Sequence, residues 1–496
     1  NIISKDSAAT QGGLLTLGGG SAERYANLRW GDEFSTHTTY RVYGRYLDRD
    51  GTEALTASAY DDSWRMLRGG ARLDTRLGSR DALTLRADGY DARSRLRTQA
   101  ASFTPPFARD LEGPVRLRGG DVTAEWRHGF AGGSDAWLRA YYDEARRTEP
   151  HYTFRRHTLD LEGQHRFAWG GRHETTWGAS YRVSHGVFGG SPTLQIVPAA
   201  RNDDIAGLFL HNETQLWGER LRLIAGSKLE WNDYSGWNVQ PSARVAWRPA
   251  ARHTLWAAAA RAVRTTSRLE RDILLYTSLS PTQPLFARLQ GNPDFQPERV
   301  LAWEAGYKAQ PVAALFVDVA GFHSTYDRLA SSEAAAPVVE PGRPPEPARV
   351  VVPVRIDNLQ EGSASGVEAA ITATVGPRWR VQGAWSFLRV NQRPRPGSTD
   401  RNDGFEGTSP RHQVWAASYL TLARGLDLDL VFRRLGRIET HGVPAFSELD
   451  ARLALRPLAD LELAAVGKNL LHERHVEFGG GFAVERSLLV RATFEW

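Results

Sequence analysis

The sequence predicts an all-β protein: a transmembrane antiparallel β-barrel of about 22 strands, with short periplasmic turns and long extracellular loops. Three observations carry that expectation. Apolar and polar residues alternate in run after run, the runs are long enough to cross a membrane, and the connections between them alternate in length. The chain has 496 residues, 47 Gly, 16 Trp, 15 Tyr and 19 Phe but one Met and no Cys, a composition that favours one large β architecture.

The clearest strand is the C-terminal "RSLLVRATFEW". Leu488, Val490, Ala492, Phe494 and Trp496 fall on one face, and Ser487, Leu489, Arg491, Thr493 and Glu495 on the other. The same period appears in "ERYANLRWG", with Ala26, Leu28 and Trp30 against Tyr25, Asn27 and Arg29. It recurs in "LRGGARLDTRLG", "SGVEAAITATV" and "LDLDLVF", whereas "VWAASYLTLA" and "HTLWAAAARAV" alternate poorly. Many runs reach about ten to fifteen residues, against about five or six in globular sheets, which argues against a soluble β-sandwich. A tilted membrane strand needs about nine to eleven.

The connections separate the remaining alternatives. Short ones such as "LGSRD", "WGGRH", "WGER" and "VGPR" interleave with long ones at 48–62, 91–115, 184–203, 264–297, 327–360, 391–408, 434–446 and 471–484. Strict alternation places tight turns at one rim and recognition loops at the other. Trp30, Trp126, Trp169, Trp217, Trp247 and Trp496 lie beside the short turns, as a girdle at the headgroup interface requires. Arg41, Arg45, Arg72, Asp74, Arg76 and Glu368 alternate onto the other face and are expected to line the lumen, because an Arg facing lipid costs about 2–4 kcal/mol at the midplane.

Charge and motifs exclude several functions. The net charge of +5 is spread along the chain, so no nucleic-acid footprint forms. A mean hydropathy of −0.44 does not count against a barrel, whose strands are apolar on one face only. Absence of Cys removes thiolate catalysis, disulfides and Cys-based metal sites. "HERH" spaces His472 and His475 too closely for the HExxH zinc pattern, and "GSASG" puts Ala364 where a nucleophile elbow needs Ser. "GGG" at 479–481 follows no βα unit, so it makes no dinucleotide loop. No enzyme, metal site or cofactor is expected.

"QGNPDFQPERVLAWEAGYK" at 290–308, the preceding "ARAVRTTSRLERD" and the terminal "AAVGKNLLHERHVEF…FEW" resemble the TonB-dependent outer-membrane receptors of siderophore-receptor type. The resemblance spans the whole chain. It implies a 22-strand barrel around an N-terminal plug, active import of a ferric siderophore, and coupling to a TonB-type inner-membrane protein. The opening "NIISKDSAATQGG" looks like that family's plug-to-barrel junction, so residues 1–12 are expected to be its remnant and 13–496 the barrel, without most of the plug. Expected partners are an iron chelate, the plug, and outer-membrane lipid and lipopolysaccharide, with the chain a monomer in the bacterial outer membrane. Cobalamin, haem or a glycan as ligand, or a passive plugless pore, are the alternatives.

Ligand capture belongs on the long-loop rim. Anionic chelates need cationic donors and flat aromatic surfaces. Loop 264–297 offers Arg264, Arg268, Arg271, Tyr276, Phe286 and Arg288. Tyr152 and Trp237 stand near other outer loops, where they equally suit an outer aromatic girdle.

Overall fold

The computed structural model describes residues 4–55, 61–401, 406–479 and 481–496. The expectations placed on residues 1–3, 56–60, 402–405 and Gly480 lie outside these. The wall begins with β1 (Gly12–Gly20), β2 (Glu23–Ser35), β3 (Thr38–Arg49), β4 (Trp64–Arg76), β5 (Asp81–Ala101), β6 (Ala108–Gly129) and β7 (Asp135–Thr148). It continues through β8 (Thr153–Trp169), β9 (His173–Gly189), β10 (Ala200–Leu216), β11 (Leu221–Asn232), β12 (Gly236–Ala250), β13 (His253–Arg264), β14 (Glu298–Val312) and β15 (Leu315–Ala334). The last strands are β16 (Arg349–Val375), β17 (Trp379–Pro394), β18 (His412–Ala423), β19 (Leu426–Leu435), β20 (Phe446–Leu458), β21 (Leu461–Lys468) and β22 (Ser487–Glu495).

Each strand pairs antiparallel with its predecessor, and β22 returns to β1 with Ala492 opposite Leu17, closing a ring of 22. The seam is sealed at its end by Trp496 and Gly13, whose backbones exchange hydrogen bonds of 2.8 and 3.0 Å. Closure satisfies every ladder position inside hydrocarbon, the condition for strands to span a bilayer.

One parity runs round the ring. Leu28, Leu67, Val122, Leu138, Leu161, Leu208, Val239, Ile371, Leu453 and Val490 all face outward and are exposed. The residues between them face the lumen, among them Arg41, Arg45, Arg72, Asp74, Arg76 and Glu368, which is where the alternation puts them. The six tryptophans beside the tight turns are all exposed.

Two expectations about connections change. Outer connections are not uniformly long: β1 and β2 are joined by Ser21 and Ala22 alone, and 149–152 and 233–235 are also tight. Conversely, most of 91–115 and 327–360 is strand, including the Pro-rich stretch whose Arg349–Val351 pairs with Val338–Glu340. Beyond the bilayer both faces of a sheet meet water. The ladder therefore continues there while the apolar alternation that reveals it stops.

Candidate functional site

The outer mouth is covered by a cap that grows from the β13–β14 connection. Ser267 opens a short helix, Arg268–Asp272, by donating its backbone N–H to the Glu270 carboxylate at 2.7 Å. Two strands follow, Ile273–Ser278 and Leu285–Gln290, paired antiparallel. The first pairs with Leu194–Ile196 from the β9–β10 connection, and the second runs parallel to Val350–Arg355 of β16. The chain returns through Gly291, whose absent Cβ would lie 2.3 Å from the Arg271 carbonyl carbon, so only Gly fits. The "GNPDFQPE" turn is then pinned by Asn358, which accepts from the Gln296 N–H at 2.7 Å and donates to the Arg328 carbonyl at 2.7 Å.

This cap has a core of its own. Phe286, Phe107, Tyr276 and Val351 are buried together, with Phe103 edge-on to Tyr276 at 4.9 Å. Ile273, Phe295 and Ile356 form a second cluster. Phe107 belongs to the β5–β6 connection and Val351 to β16, ten strands away in a ring of 22. Their shared cluster therefore spans the mouth.

Charged groups are matched over this core. Glu340 accepts from Tyr276 at 3.3 Å and from Arg349 at 3.0 Å, and it also pairs with Arg288. The Arg349 guanidinium lies over the Phe103 ring at 3.9 Å. Nearby, Arg201 and Arg271 lie at 4.3 and 5.4 Å from the Tyr234 ring, and Tyr234 donates to Asp203 at 2.5 Å. Burial, reinforced by Asp203, pushes the Tyr234 phenol well above its ordinary range.

The residues expected to capture ligand are accounted for as follows. Tyr276, Phe286 and Arg288 come together, but as cap core and its ion pair. Phe286 has no exposed surface, which removes it as a ligand platform in this conformation. Arg264 is held by Glu270 at 2.8 Å and Glu298 at 2.7 Å, and Arg268 by Asp272 and the Pro198 carbonyl. Arg271 donates to the Tyr234 carbonyl at 2.7 Å. Tyr152 stacks on Phe188 at 5.3 Å; burial and then Glu149 raise its phenol. Trp237 shares the outward face of β12 with Val239 and Trp247 and is exposed there. Phe103, Phe107, Tyr234, Glu340 and Arg349 were not singled out from the sequence. The one signal for the first two is the aromatic pair bracketing a Pro turn in "SFTPPF".

At the inner end, residues 4–10 lie against the lumen wall beside a cavity of about 800 Å³. Arg72 binds Asp6 at 2.6 Å and the Ser4 hydroxyl at 2.8 Å, and Ser7 donates to Asp74 from its N–H and its hydroxyl. Among the described residues one group has metal-ligand composition: Glu448, His475 and Glu477, whose ligating atoms lie within 4.8 Å. The Arg433 guanidinium already bridges both carboxylates, 3.0 Å from Glu477, so a cation is supplied by the protein.

A closed 22-strand barrel with tight turns at one end and an arginine- and aromatic-rich cap at the other defines the class: a receptor-type transmembrane β-barrel. The chain belongs to the TonB dependent receptor-like β-barrel family, whose profile matches residues 7–470. That family comprises receptors and transporters, not enzymes. Among solved structures it is similar to the siderophore receptor PirA from Acinetobacter baumannii, with 13% identity and a TM-score of 0.81 over 100% of this chain and 81% of that one. PirA from Pseudomonas aeruginosa gives 14% identity and a TM-score of 0.75, covering 100% and 82%. A mutant of the ferric enterobactin receptor PfeA from Pseudomonas aeruginosa, in complex with enterobactin, gives 15% and 0.75, covering 100% and 83%. No curated protein matches.

Proposed function

We propose that this chain is the transport barrel of a bacterial outer-membrane receptor that takes up a ferric siderophore or similar iron chelate, driven by a TonB-type inner-membrane protein. The observation that carries the reading is the cap. Cationic guanidiniums lie on aromatic faces at Arg201, Arg271 and Tyr234, and at Arg349 and Phe103. That chemistry suits an anionic chelate with flat rings. In this reading residues 1–12 are the junction to a plug and 13–496 the barrel. The lumen contacts of Ser4, Asp6 and Ser7 support a path from the wall into the interior. The barrel works as a monomer among lipopolysaccharide and binds no nucleic acid.

The test is uptake of radiolabelled ferric chelates by a strain stripped of its own receptors and given the complete reading frame that contains this chain. Uptake that disappears when the TonB-type protein is deleted is the expected result. Uptake indifferent to that deletion identifies a passive pore. Import of cobalamin, haem or an oligosaccharide in place of the iron chelate keeps the transport reading and replaces its ligand.

A further inference from the structure

We propose that the cavity at the inner end of the lumen is an anion site that an outbound chelate occupies on its way to the periplasm, separate from the aromatic and cationic surfaces of the cap. The proposal rests on the uptake reading above and narrows its cargo to chelates of net negative charge. Five neighbouring strands carry lumen-facing charge in three rows. Arg41, Arg72 and Arg86 stand directly opposite one another on β3, β4 and β5. One step toward the inner end come Asp74, Thr84, Glu125 and Arg139, on β4 to β7. Innermost are Arg76 and Arg127, on either side of Ala82. Like charges directly opposite across a ladder are destabilising, so guanidinium rows above and below one carboxylate row call for further anionic charge.

Among the described residues the wall supplies too little of it. Arg72 holds Asp6 at 2.6 Å and Asp74 at 2.7 Å, and Asp74 also accepts from Ser7 and Thr84. Glu125 is left facing three guanidiniums, 2.7 Å from Arg127, 3.8 Å from Arg139 and 3.9 Å from Arg86. Arg139 has a second carboxylate in Glu162, at 2.5 Å. Arg86 and Arg76 have no such relief: Arg86 Nε is buried without a hydrogen-bond partner, and Arg76 donates only to the Thr36 carbonyl, at 3.3 Å. A buried donor left unmet costs free energy, and an anion among Arg76, Arg86 and Arg127 removes that cost.

The space among these side chains has the size for a ligand. The cavity measures about 800 Å³, and Thr36 and His37 of the β2–β3 turn edge it at the inner mouth. Small-molecule sites span roughly 300–1,000 Å³. The cationic excess is confined to this arc. Across the ring, the corresponding lumen row of β13 to β16 reads Ala260, Ala302, Ser324 and Ala364. A multiply charged anion loses solvation when it enters the lumen, and guanidiniums fixed along its exit replace part of that solvation. Passage also requires that the anion leave again. Glu125 provides for release, because it competes with the anion for Arg86 and Arg127.

The experiment uses the complete reading frame in the receptor-stripped strain and two radiolabelled probes: an iron tris-catecholate, which is trianionic, and an iron tris-hydroxamate, which is uncharged. Surface affinity is measured in de-energised cells and the maximal import rate in energised ones. Expected is import of the trianionic chelate, slowed about tenfold in Arg86→Gln/Arg127→Gln at unchanged surface affinity. Any import of the uncharged chelate should keep its rate. Arg86→Lys/Arg127→Lys retains the charge and should stay within about twofold of wild type. Arg378→Gln/Arg424→Gln removes the same charge from exposed turns elsewhere on the inner rim and should change nothing. Wild-type import of the uncharged chelate alone, equal slowing of both probes, a matching loss of surface affinity, lysine variants as slow as the glutamine ones, or an unaffected glutamine variant each overturns the proposal. Should the double glutamine variant not reach the outer membrane, Arg86→Gln alone decides, at about threefold. Import of neither probe by wild type sinks the functional reading and this site with it, whereas TonB-dependent import that ignores Arg86 and Arg127 sinks only the site.

Discussion

The barrel wall and the cap over its mouth are built from the same amino acids under opposite rules. In the wall, Leu67, Leu208 and Val490 are exposed and the charges turn inward, because the solvent outside is hydrocarbon. In the cap, Phe286 and Phe295 are enclosed and the charges ride on top, because the solvent is water. The wall gets its order from a closed hydrogen-bond ladder. The cap gets it from a small apolar core contributed by the β5–β6 connection, the β13–β14 connection and the outer end of β16, and that core is the part single substitutions should undo.

The largest effect is expected at Phe286. Replacing a fully buried Phe by Ala costs about 3–5 kcal/mol, and here the loss falls on the cap. Phe286→Ala should speed proteolysis within 273–290 while the barrel's heat-modifiable mobility stays as it was. A parallel fall in barrel stability means that cap and wall unfold as one unit, and the contrast drawn between them fails.

Next come the two faces of the wall. Leu208→Arg places a charge toward lipid at a cost of about 2–4 kcal/mol. Ala370→Arg, exposed on the lumen face near Glu368 and Asp318, should stay within about 0.5 kcal/mol. Urea unfolding in bilayers compares them, and equal midpoint shifts refute the assigned parity. Smaller again is Glu340→Gln, which keeps the shape and removes the charge that Arg288 and Arg349 share. A loss of about 1.5–3 kcal/mol is expected as faster hydrogen exchange at Val338–Glu340. Unchanged exchange there makes the ion pair incidental.

The same contrast explains what could be read in advance. The wall follows one rule, a period of two between one apolar and one wet face, so "RSLLVRATFEW" and "SGVEAAITATV" declared their strands and lipid faces. Above the bilayer that rule lapses. The stretch 91–101, with Arg93, Arg95 and Arg97, looked like loop although it is ladder. The arginines and aromatics of 264–297 were recognised as a set. Their partners Phe103, Phe107, Glu340 and Arg349 come from the β5–β6 and β15–β16 segments, and no local pattern announces a contact across the mouth. Phe286 illustrates the result: the residue was noticed, but its surroundings decide that it packs inside the cap.

The smallest expected effect is a pH dependence at the short helix of the cap. Burial raises the Glu270 carboxyl, but hydrogen bonds from Ser267 and Arg264 outweigh it and hold the group below its ordinary 4.5. A depressed native value means this carboxylate's stabilisation is complete above pH 4.5 and is lost as pH falls from there toward the native value. Hydrogen exchange at Arg268–Asp272 should therefore accelerate on acidification below that point. Glu333 at the end of β15 shifts in the same direction, so wild type alone does not isolate the helix. Glu270→Gln does. It removes the titrating group, costs about 1 kcal/mol at neutral pH through the lost cap and the loss of one of Arg264's two carboxylate partners, and flattens the acid response. An unaltered acid response in Glu270→Gln assigns the transition to other carboxylates and leaves the capping box without a part in holding the mouth closed.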